Sequence, residues 1–155
     1  MKKVGLADTT FSRFDYAPVV LGVLSESNPE VEIVRYTVPG IKDLPVACKR
    51  LFQEKCDIVI ACGMVGKMPI DKQCSHEASI GLQSVQLSEA KHILEVFVHM
   101  DEAKNDKELA SICEDRARKH AENVLMLLFD QKKLQGRAGT GRRQGKEDEG
   151  PLRLG

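Results

Sequence analysis

The sequence predicts an α/β fold, a three-layer sandwich in which a four-stranded parallel sheet carries helices on both faces. Strand-like and helix-like segments alternate in the order β-α-β-α-β-α-β-α along residues 3–134. Residues 57–63 form an almost continuous apolar run, which is typical of a strand buried on both faces of a parallel sheet. Right-handed crossovers between such strands place helices on both sides of the sheet.

The chain opens with a strand, a loop and a helix. Residues 3–7 form a short apolar strand, and the polar loop that follows contains the aromatic residue Phe11. Asp15 is suited to cap a helix that runs to about residue 27. Asn28-Pro29 predicts the end of that helix, because this dipeptide favours a turn.

A second strand and helix precede the apolar strand at residues 57–63. Residues 31–38 are rich in β-branched side chains and predict a strand. Asp43 is suited as the N-cap of the helix that follows. Apolar residues recur after it at helical spacing: Leu44, Ala47, Cys48, Leu51 and Phe52.

The remaining segments complete the alternation and leave a tail. In order they are a polar loop over residues 66–74, a helix to about residue 90, a strand over 92–99 and a helix over 104–134. The tail, residues 136–155, is rich in glycine and charge and has too little apolar surface to fold alone. We therefore expect one domain over residues 1–135, with the tail packed on it or on a neighbouring subunit.

Composition excludes several classes of protein. Lysine plus arginine and aspartate plus glutamate each number 23, so a general nucleic-acid binder, which needs a basic excess, is not expected. No run of about 18 uncharged apolar residues predicts a membrane span. The five cysteines form no close pair and lack metal-ligand spacing. They favour a reducing, cytoplasmic location with free thiols.

Two turns mark a candidate ligand site. Pro39-Gly40 follows the second predicted strand, and residues 63–66 follow the third. Both turns fall at the carboxyl edge of a parallel sheet, where open α/β folds bind ligands. Residues 63–68 resemble a phosphate loop but are too short for one, and Met68 occupies the position where a nucleotide-binding loop needs a hydroxyl side chain. Lys67 remains a candidate ligand contact.

Single residues near these turns have two interpretations each. Phe11 either packs under its own loop or stacks on a flat heterocycle. His76, beside Glu77, either lies on the surface or transfers protons near neutral pH. Asp71 either binds a polyol or orients a base, and His99 ends the fourth strand either at the functional edge or simply in solvent. The residues alone leave these alternatives open.

Longer runs at the strand ends, in the last helix and in the tail carry a family resemblance. They are Asp8-Thr9-Thr10-Phe11, Thr37-Val38-Pro39-Gly40-Ile41-Lys42-Asp43-Leu44-Pro45, Pro69-Ile70-Asp71-Lys72-Gln73-Cys74, His76-Glu77-Ala78-Ser79, Glu95-Val96-Phe97-Val98-His99, His120-Ala121-Glu122-Asn123 and Arg143-Gln144-Gly145. Together they resemble archaeal riboflavin synthase, a family related to lumazine synthase. The resemblance covers essentially the whole chain.

The resemblance implies an enzyme, a transferase, that converts two molecules of 6,7-dimethyl-8-ribityllumazine into riboflavin and 5-amino-6-(D-ribitylamino)uracil. No organic cofactor is implied, because one substrate molecule is oxidised as the other is reduced. Mg²⁺ dependence is implied as an option. The implied assembly is a homopentamer with active sites between subunits, each holding two substrate molecules, and without nucleic acid or membrane partners.

Within this reaction, residue type and loop position assign expected roles to individual residues. Catalysis is expected from His76 and Lys67, with Glu77 as an orienting partner. Residues expected to bind the rings and ribityl chains are Thr9, Thr10, Phe11, Val38, Pro39, Gly40, Ile41, Gly63, Met64, Asp71 and His99.

Two other functions compete with this one. Lumazine synthase itself is similar at the Pro-Gly turn and at Glu77, but it carries a catalytic histidine where this chain has Ile70. A side chain of isoleucine cannot transfer a proton, which argues against lumazine synthase chemistry. The other alternative is a non-catalytic lumazine- or flavin-binding protein, which would bind the ligand without turnover.

Overall fold

A computed structural model describes residues 1–27, 29–144 and 146–155. The four strands are all parallel and lie in the order β2-β1-β3-β4, which confirms the predicted α/β fold. The elements are β1 (Lys2–Thr9), α1 (Ala17–Ser25), β2 (Val31–Val38), a 3₁₀ turn (Ile41–Asp43), α2 (Leu44–Gln53), β3 (Ile58–Val65), α3 (Pro69–Glu89), β4 (Ile93–His99), a 3₁₀ turn (Met100–Glu102), α4 (Asp106–Phe129) and α5 (Gln131–Arg137).

Two apolar clusters lie on opposite faces of the sheet. Helices α1 and α4 cover one face, where their side chains pack on Leu6, Ile60 and Val96. Helices α2 and α3 cover the other face, over Ala7 and Val59. Every residue of β3 is buried, as its apolar sequence predicts for a central strand. The alternation of β1, β3 and β4 between the two clusters produces the three layers.

Helix α3 begins earlier than its sequence predicts. The predicted loop over residues 66–74 is wrong, because the helix already starts at Pro69. Proline is favoured in a first helical turn, and the Asp71 carboxylate accepts a hydrogen bond from the backbone N–H of Met68 at 3.0 Å. The polar residues Lys72 and Gln73, which lie in the predicted loop, are on the exposed side of this helix.

Two predicted caps act differently from expectation. The side chain of Asp43 does not cap α2 and instead accepts from the backbone N–H of Gly40 at 3.1 Å, which closes the 3₁₀ turn before that helix. Asp15 lies two residues before α1 and accepts from Ala17 N at 3.2 Å. Of the predicted Asn28-Pro29 helix end, Asn28 lies outside the described residues.

The predicted last helix is interrupted. The backbone of Asp130 leaves the helical region, so α4 ends at Phe129 and α5 follows. Asp130 then caps α5 by accepting from Lys133 N at 3.1 Å. The predicted Arg143-Gln144-Gly145 run lies in the tail, where Arg143 N donates to Asp148 at 3.0 Å and Gly145 is outside the described residues. The division at residues 135 and 136 stays a prediction.

Candidate active site

The sheet opens at the carboxyl edge between β1 and β3. Strand β1 stays paired with β2 up to Thr9 and Val38, but its pairing with β3 stops at Ala7 and Ala61. From β1 the chain leads to β2 at one edge of the sheet, and from β3 it leads to β4 at the opposite edge. Such a switch point forms a crevice beyond the strand ends and is the usual ligand site of this architecture.

A cavity of about 400 Å³ lies at this edge. One wall carries the ring of Phe11, which is 55 % exposed. The structure brings together six of the predicted substrate-binding residues here, although they come from separate segments of the chain: the β1–α1 loop, the turn after β2, the end of β3 and the start of α3. The cavity is lined by Phe11, Pro39, Gly40, Ile41, Lys42, Asp43, Met64, Val65, Gly66, Asp71 and Cys74.

Backbone hydrogen bonds join two of these loops into one wall. Thr10 N donates to Val38 O at 2.9 Å, and Phe11 N donates to Pro39 O at 3.2 Å. The β1–β2 ladder therefore continues past the strands into the site. Val38 is buried and packs in the core beneath the wall. As a result, the position of the Phe11 ring is tied to that of the Pro39-Gly40 turn.

Two glycines allow the opposite wall to approach closely. A Cβ on Gly63 would lie 2.7 Å from the Ile41 Cγ2, and a Cβ on Gly66 would lie 2.3 Å from the Asp71 Oδ2. Both distances are shorter than real Cβ contacts, so a side chain at either position would displace its neighbour. The carboxylate of Asp71 can therefore reach across Gly66 to cap α3.

Tyr16 supports the end of β3 from the other face of the sheet. Its hydroxyl, fully buried, donates to Gly63 O at 3.0 Å and lies 3.4 Å from the Cys113 Sγ. Burial, followed by the contact with Cys113, raises the pKa of Tyr16 far above its usual range. The phenol therefore stays protonated and acts as a hydrogen-bond donor that fixes the Gly63 carbonyl.

Lys42 and Glu77 form an ion pair that the sequence analysis did not single out. The Lys42 Nζ lies 2.8 Å from the Glu77 Oε2 and links the 3₁₀ turn with α3. This hydrogen bond raises the pKa of Lys42, and together with one from Gln73 it lowers the pKa of Glu77. Lys42 directly follows the Pro39-Gly40-Ile41 turn, and this position in the sequence indicates that Lys42 belongs to the candidate ligand site.

The predicted catalytic residues are not gathered at the cavity. His76 and Lys67 are exposed, and neither lines it. Glu77 is connected to the cavity through Lys42 rather than by orienting His76. Nothing in the structure tests the predicted roles of His76 and Lys67, and they stay predictions.

Thr9 and Thr10 line a separate hollow of about 380 Å³ on the α1 side. The buried Asp8 in this hollow accepts hydrogen bonds from the Arg35 guanidinium at 2.6 and 3.1 Å and from the Thr37 hydroxyl. The Thr9 hydroxyl accepts from Ser12 N at 3.3 Å. Of the predicted ribityl partners, Thr9 and Thr10 therefore lie beside the cavity wall, whereas Asp71 is part of the lining.

His99 lines a different groove, of about 790 Å³, along the open edge of β4 between α3 and α4. Arg116 makes a double hydrogen bond to Glu102 there, at 2.9 and 2.7 Å. The His120 Nδ1 and the Glu95 Oε1 are buried in the described part of the chain without a hydrogen-bond partner. Burial, and then the charge of Arg116, lowers the pKa of His120 to about 4.

Comparison with known proteins identifies the family. Residues 3–132 match the sequence model of the 6,7-dimethyl-8-ribityllumazine synthase family. A riboflavin synthase of Methanothermobacter thermautotrophicus is 50% identical over 98% of this chain and 100% of its own length. This chain belongs to the riboflavin synthase family of archaea. Riboflavin synthases of Archaeoglobus fulgidus and Aeropyrum pernix are 46% and 48% identical, over 97% and 98% of this chain.

Membership in the riboflavin synthase family confirms the resemblance carried by the sequence runs. The identity extends over the whole length of the relatives, which includes the tail. In the described residues, no helix is both long and apolar enough to cross a membrane.

Proposed function

We propose that this enzyme is a riboflavin synthase that converts two 6,7-dimethyl-8-ribityllumazine molecules into riboflavin and 5-amino-6-(D-ribitylamino)uracil. One substrate molecule donates a four-carbon unit to the other. The observation that carries the proposal is 46–50% identity, over nearly the full length, to proteins named riboflavin synthase. The cavity at the sheet edge supports it with an aromatic wall and backbone-rich turns.

The cavity is suited to positioning flat rings. The Phe11 ring offers a stacking surface, and the Pro39-Gly40 turn and Met64 offer apolar and backbone contacts on the other sides. The protons of the C7 methyl group are acidic because the ring system delocalises the carbanion, so no strong base is needed. Holding two reactants in one orientation can lower the barrier by roughly 7–11 kcal/mol at best.

We propose a homopentamer in which a neighbouring subunit completes each site and each site holds two substrate molecules. The Phe11 cavity and the His99 groove are separate within one protomer, so a neighbour could bring them together. The buried, unpartnered atoms of Glu95 and His120 support a further partner in that groove. Ile80 and Leu87 expose 54% and 81% of their surface on α3 and could form part of the contact.

The remaining residue roles are proposed on the same basis. His76 and Lys67 are exposed and thus available to transfer protons in a site completed by a neighbour. Thr9, Thr10 and His99 are proposed to bind ribityl hydroxyls or ring edges. The five free cysteines support a reducing compartment, and we propose that the enzyme works in the cytoplasm.

No organic cofactor is proposed, because the reaction balances its own oxidation and reduction. The residues do not fit a Mg²⁺ site in the protomer. Asp71 caps α3, Glu77 pairs with Lys42, and Asp101 pairs with Lys72. Within residues 1–27, 29–144 and 146–155, no group of three potential ligands converges.

Incubation with dimethylribityllumazine alone tests the proposal. Riboflavin fluorescence should appear together with one molecule of the aminouracil per riboflavin. The alternative activity, lumazine synthase, is favoured by the name of the matching family model. It would need the aminouracil and 3,4-dihydroxy-2-butanone 4-phosphate, and Ile70 stands where its histidine is expected. Lumazine formation from those two compounds without riboflavin formation would favour the alternative, and binding without turnover would favour a carrier.

A further inference from the structure

The lining of the Phe11 cavity contains one basic side chain among the described residues, that of Lys42. Lys42 belongs to the 3₁₀ turn that forms one side of the cavity, and its ammonium group contacts Glu77 on α3, which is outside the lining. The side chain is 59% exposed and that of Glu77 43%, so both lie at the opening rather than in the core.

The two carboxylates of the same lining are already engaged. Asp43 accepts from Gly40 N at 3.1 Å, and Asp71 accepts from Met68 N at 3.0 Å. Each carboxylate thereby holds the turn to which it belongs. Lys42 is the charged group of the lining whose partner lies outside its own turn, and it can therefore turn toward a ligand without opening the wall.

The proposed reaction develops negative charge on the substrate ring. It begins when a C–H bond of the C7 methyl group breaks and the proton passes to a base, the role proposed above for His76. The electron pair of that bond is left on the substrate and spreads over the ring system onto its oxygen and nitrogen atoms. A cation placed beforehand where this negative charge develops stabilises the anion more than it stabilises the neutral substrate.

We propose that Lys42 is a catalytic residue that stabilises the lumazine anion, and that Glu77 is a positioning residue that holds the Lys42 ammonium at the cavity mouth. The proposal rests on the riboflavin synthase function proposed above. It gives a catalytic role to Lys42, a residue without a predicted role in the sequence analysis.

The contacts of Lys42 fit this role. The hydrogen bond that Lys42 donates to Glu77 raises the pKa of Lys42, so the amine carries its proton throughout the neutral range. An exposed lysine–carboxylate pair is weak, because water screens both charges. Lys42 can exchange Glu77 for an anionic ring at small cost, and Glu77 returns it to the mouth after product release.

Deuterium exchange at the C7 methyl group, followed by NMR in heavy water, tests the step without requiring a complete turnover. Lys42→Gln should slow enzyme-catalysed exchange and kcat by about 10- to 100-fold, below the loss in a closed oxyanion site because Lys42 lies at an open mouth. KM should change by less than about 3-fold, since the anion forms only after binding. Lys42→Arg, which keeps the charge, should recover most of the exchange rate.

Lys49→Gln is the matched control. Lys49 on α2 pairs with Glu89 on α3 at 2.6 Å. Like the Lys42–Glu77 pair, this is a lysine–glutamate pair with its carboxylate on α3, but Lys49 does not line the cavity. It should exchange at the wild-type rate. Glu77→Gln should slow exchange by less than Lys42→Gln, about 3- to 10-fold, because the ammonium remains but is no longer held.

The outcomes separate the two proposals. Wild-type exchange in Lys42→Gln, or an equal loss in Lys42→Arg and Lys42→Gln, would overturn the role of Lys42. A loss confined to Lys67→Gln would do the same and assign the charge to Lys67. If the wild-type protein catalyses exchange but forms no riboflavin, the proposed function fails while the Lys42 comparison still decides its own question. If it catalyses neither, both proposals fail.

Discussion

Substitution of Gly63 by alanine tests how the cavity depends on close packing at the end of β3. The added Cβ would lie 2.7 Å from the Ile41 Cγ2 and 3.4 Å from the nearest atom of the Phe97 ring. The first distance is about 0.7 Å short of the 3.4 Å at which ordinary contact begins. The backbone of Gly63 is not in the left-handed region, so the effect is steric alone. Ile41 must move, and it is part of the cavity wall.

The displacement has two measurable consequences. Overpacking of this size costs about 1–3 kcal/mol of unfolding free energy. A wall displaced by a sizeable fraction of an ångström should also lower kcat/KM by about 10- to 100-fold, because reactions that depend on positioning lose rate steeply with misplacement. Combining Gly63→Ala with Ile41→Leu, which lacks a Cγ2 methyl group, should recover part of both losses.

The assays are urea unfolding and initial rates of riboflavin formation, with Gly81→Ala as the control. A Cβ on Gly81 would lie 2.8 Å from Pro45, a nearly equal overlap, but at the α2–α3 contact away from the cavity lining. Gly81→Ala should keep kcat/KM near the wild-type value. Wild-type kinetics in Gly63→Ala, or an equal kinetic loss in Gly81→Ala, would refute the reasoning.

Three further substitutions probe other parts of the account. Tyr16→Phe leaves the buried Gly63 carbonyl without its 3.0 Å donor and should lower the unfolding free energy by about 1–3 kcal/mol, and an unchanged urea midpoint would contradict this. Phe11→Ala removes an exposed ring and should raise KM by about 3- to 10-fold, with stability changed by less than about 0.5 kcal/mol; unchanged KM would show that the ring does not contact substrate. The folded pKa of His120, about 4, lies below its usual 6.5, so the unfolded chain binds the extra proton between these values. Stability should therefore fall by up to about 3 kcal/mol as the pH drops from 6.5 to 4, and His120→Gln should remove that part of the pH dependence of the urea midpoint. An unchanged pH slope in the variant would contradict the assignment.

Most of the fold is predictable because its signals are local. The apolar run of β3 and the β-branched run of β2 indicate strands, and the alternation of elements fixes the parallel topology. The sequence does not reveal the start of α3 because its first turn contains no buried apolar residue: Pro69 and Ile70 are exposed, and the two residues that follow are polar. The break at Asp130 was missed because apolar spacing continues across it, whereas the break depends on the backbone of that one residue.

The site is predictable where it is made of turns and not where it depends on contacts between distant residues. Pro39-Gly40 and Gly63 predict the location of the cavity, because the carboxyl ends of the strands meet at one edge of a parallel sheet. The Lys42–Glu77 pair joins residues 35 positions apart, and no local pattern reveals it. His99 is predicted to lie with the two turns at the carboxyl edge of the sheet. Because β4 is the last strand of the sheet, His99 lies instead in a separate groove.

A crystal structure with an unreactive analogue of dimethylribityllumazine measures the central claim most directly. We expect a pteridine ring to lie against Phe11 and the Pro39-Gly40 turn, with a second chain bordering the same ligand. An analogue bound only in the groove along β4, with the Phe11 cavity empty at saturation, would contradict it.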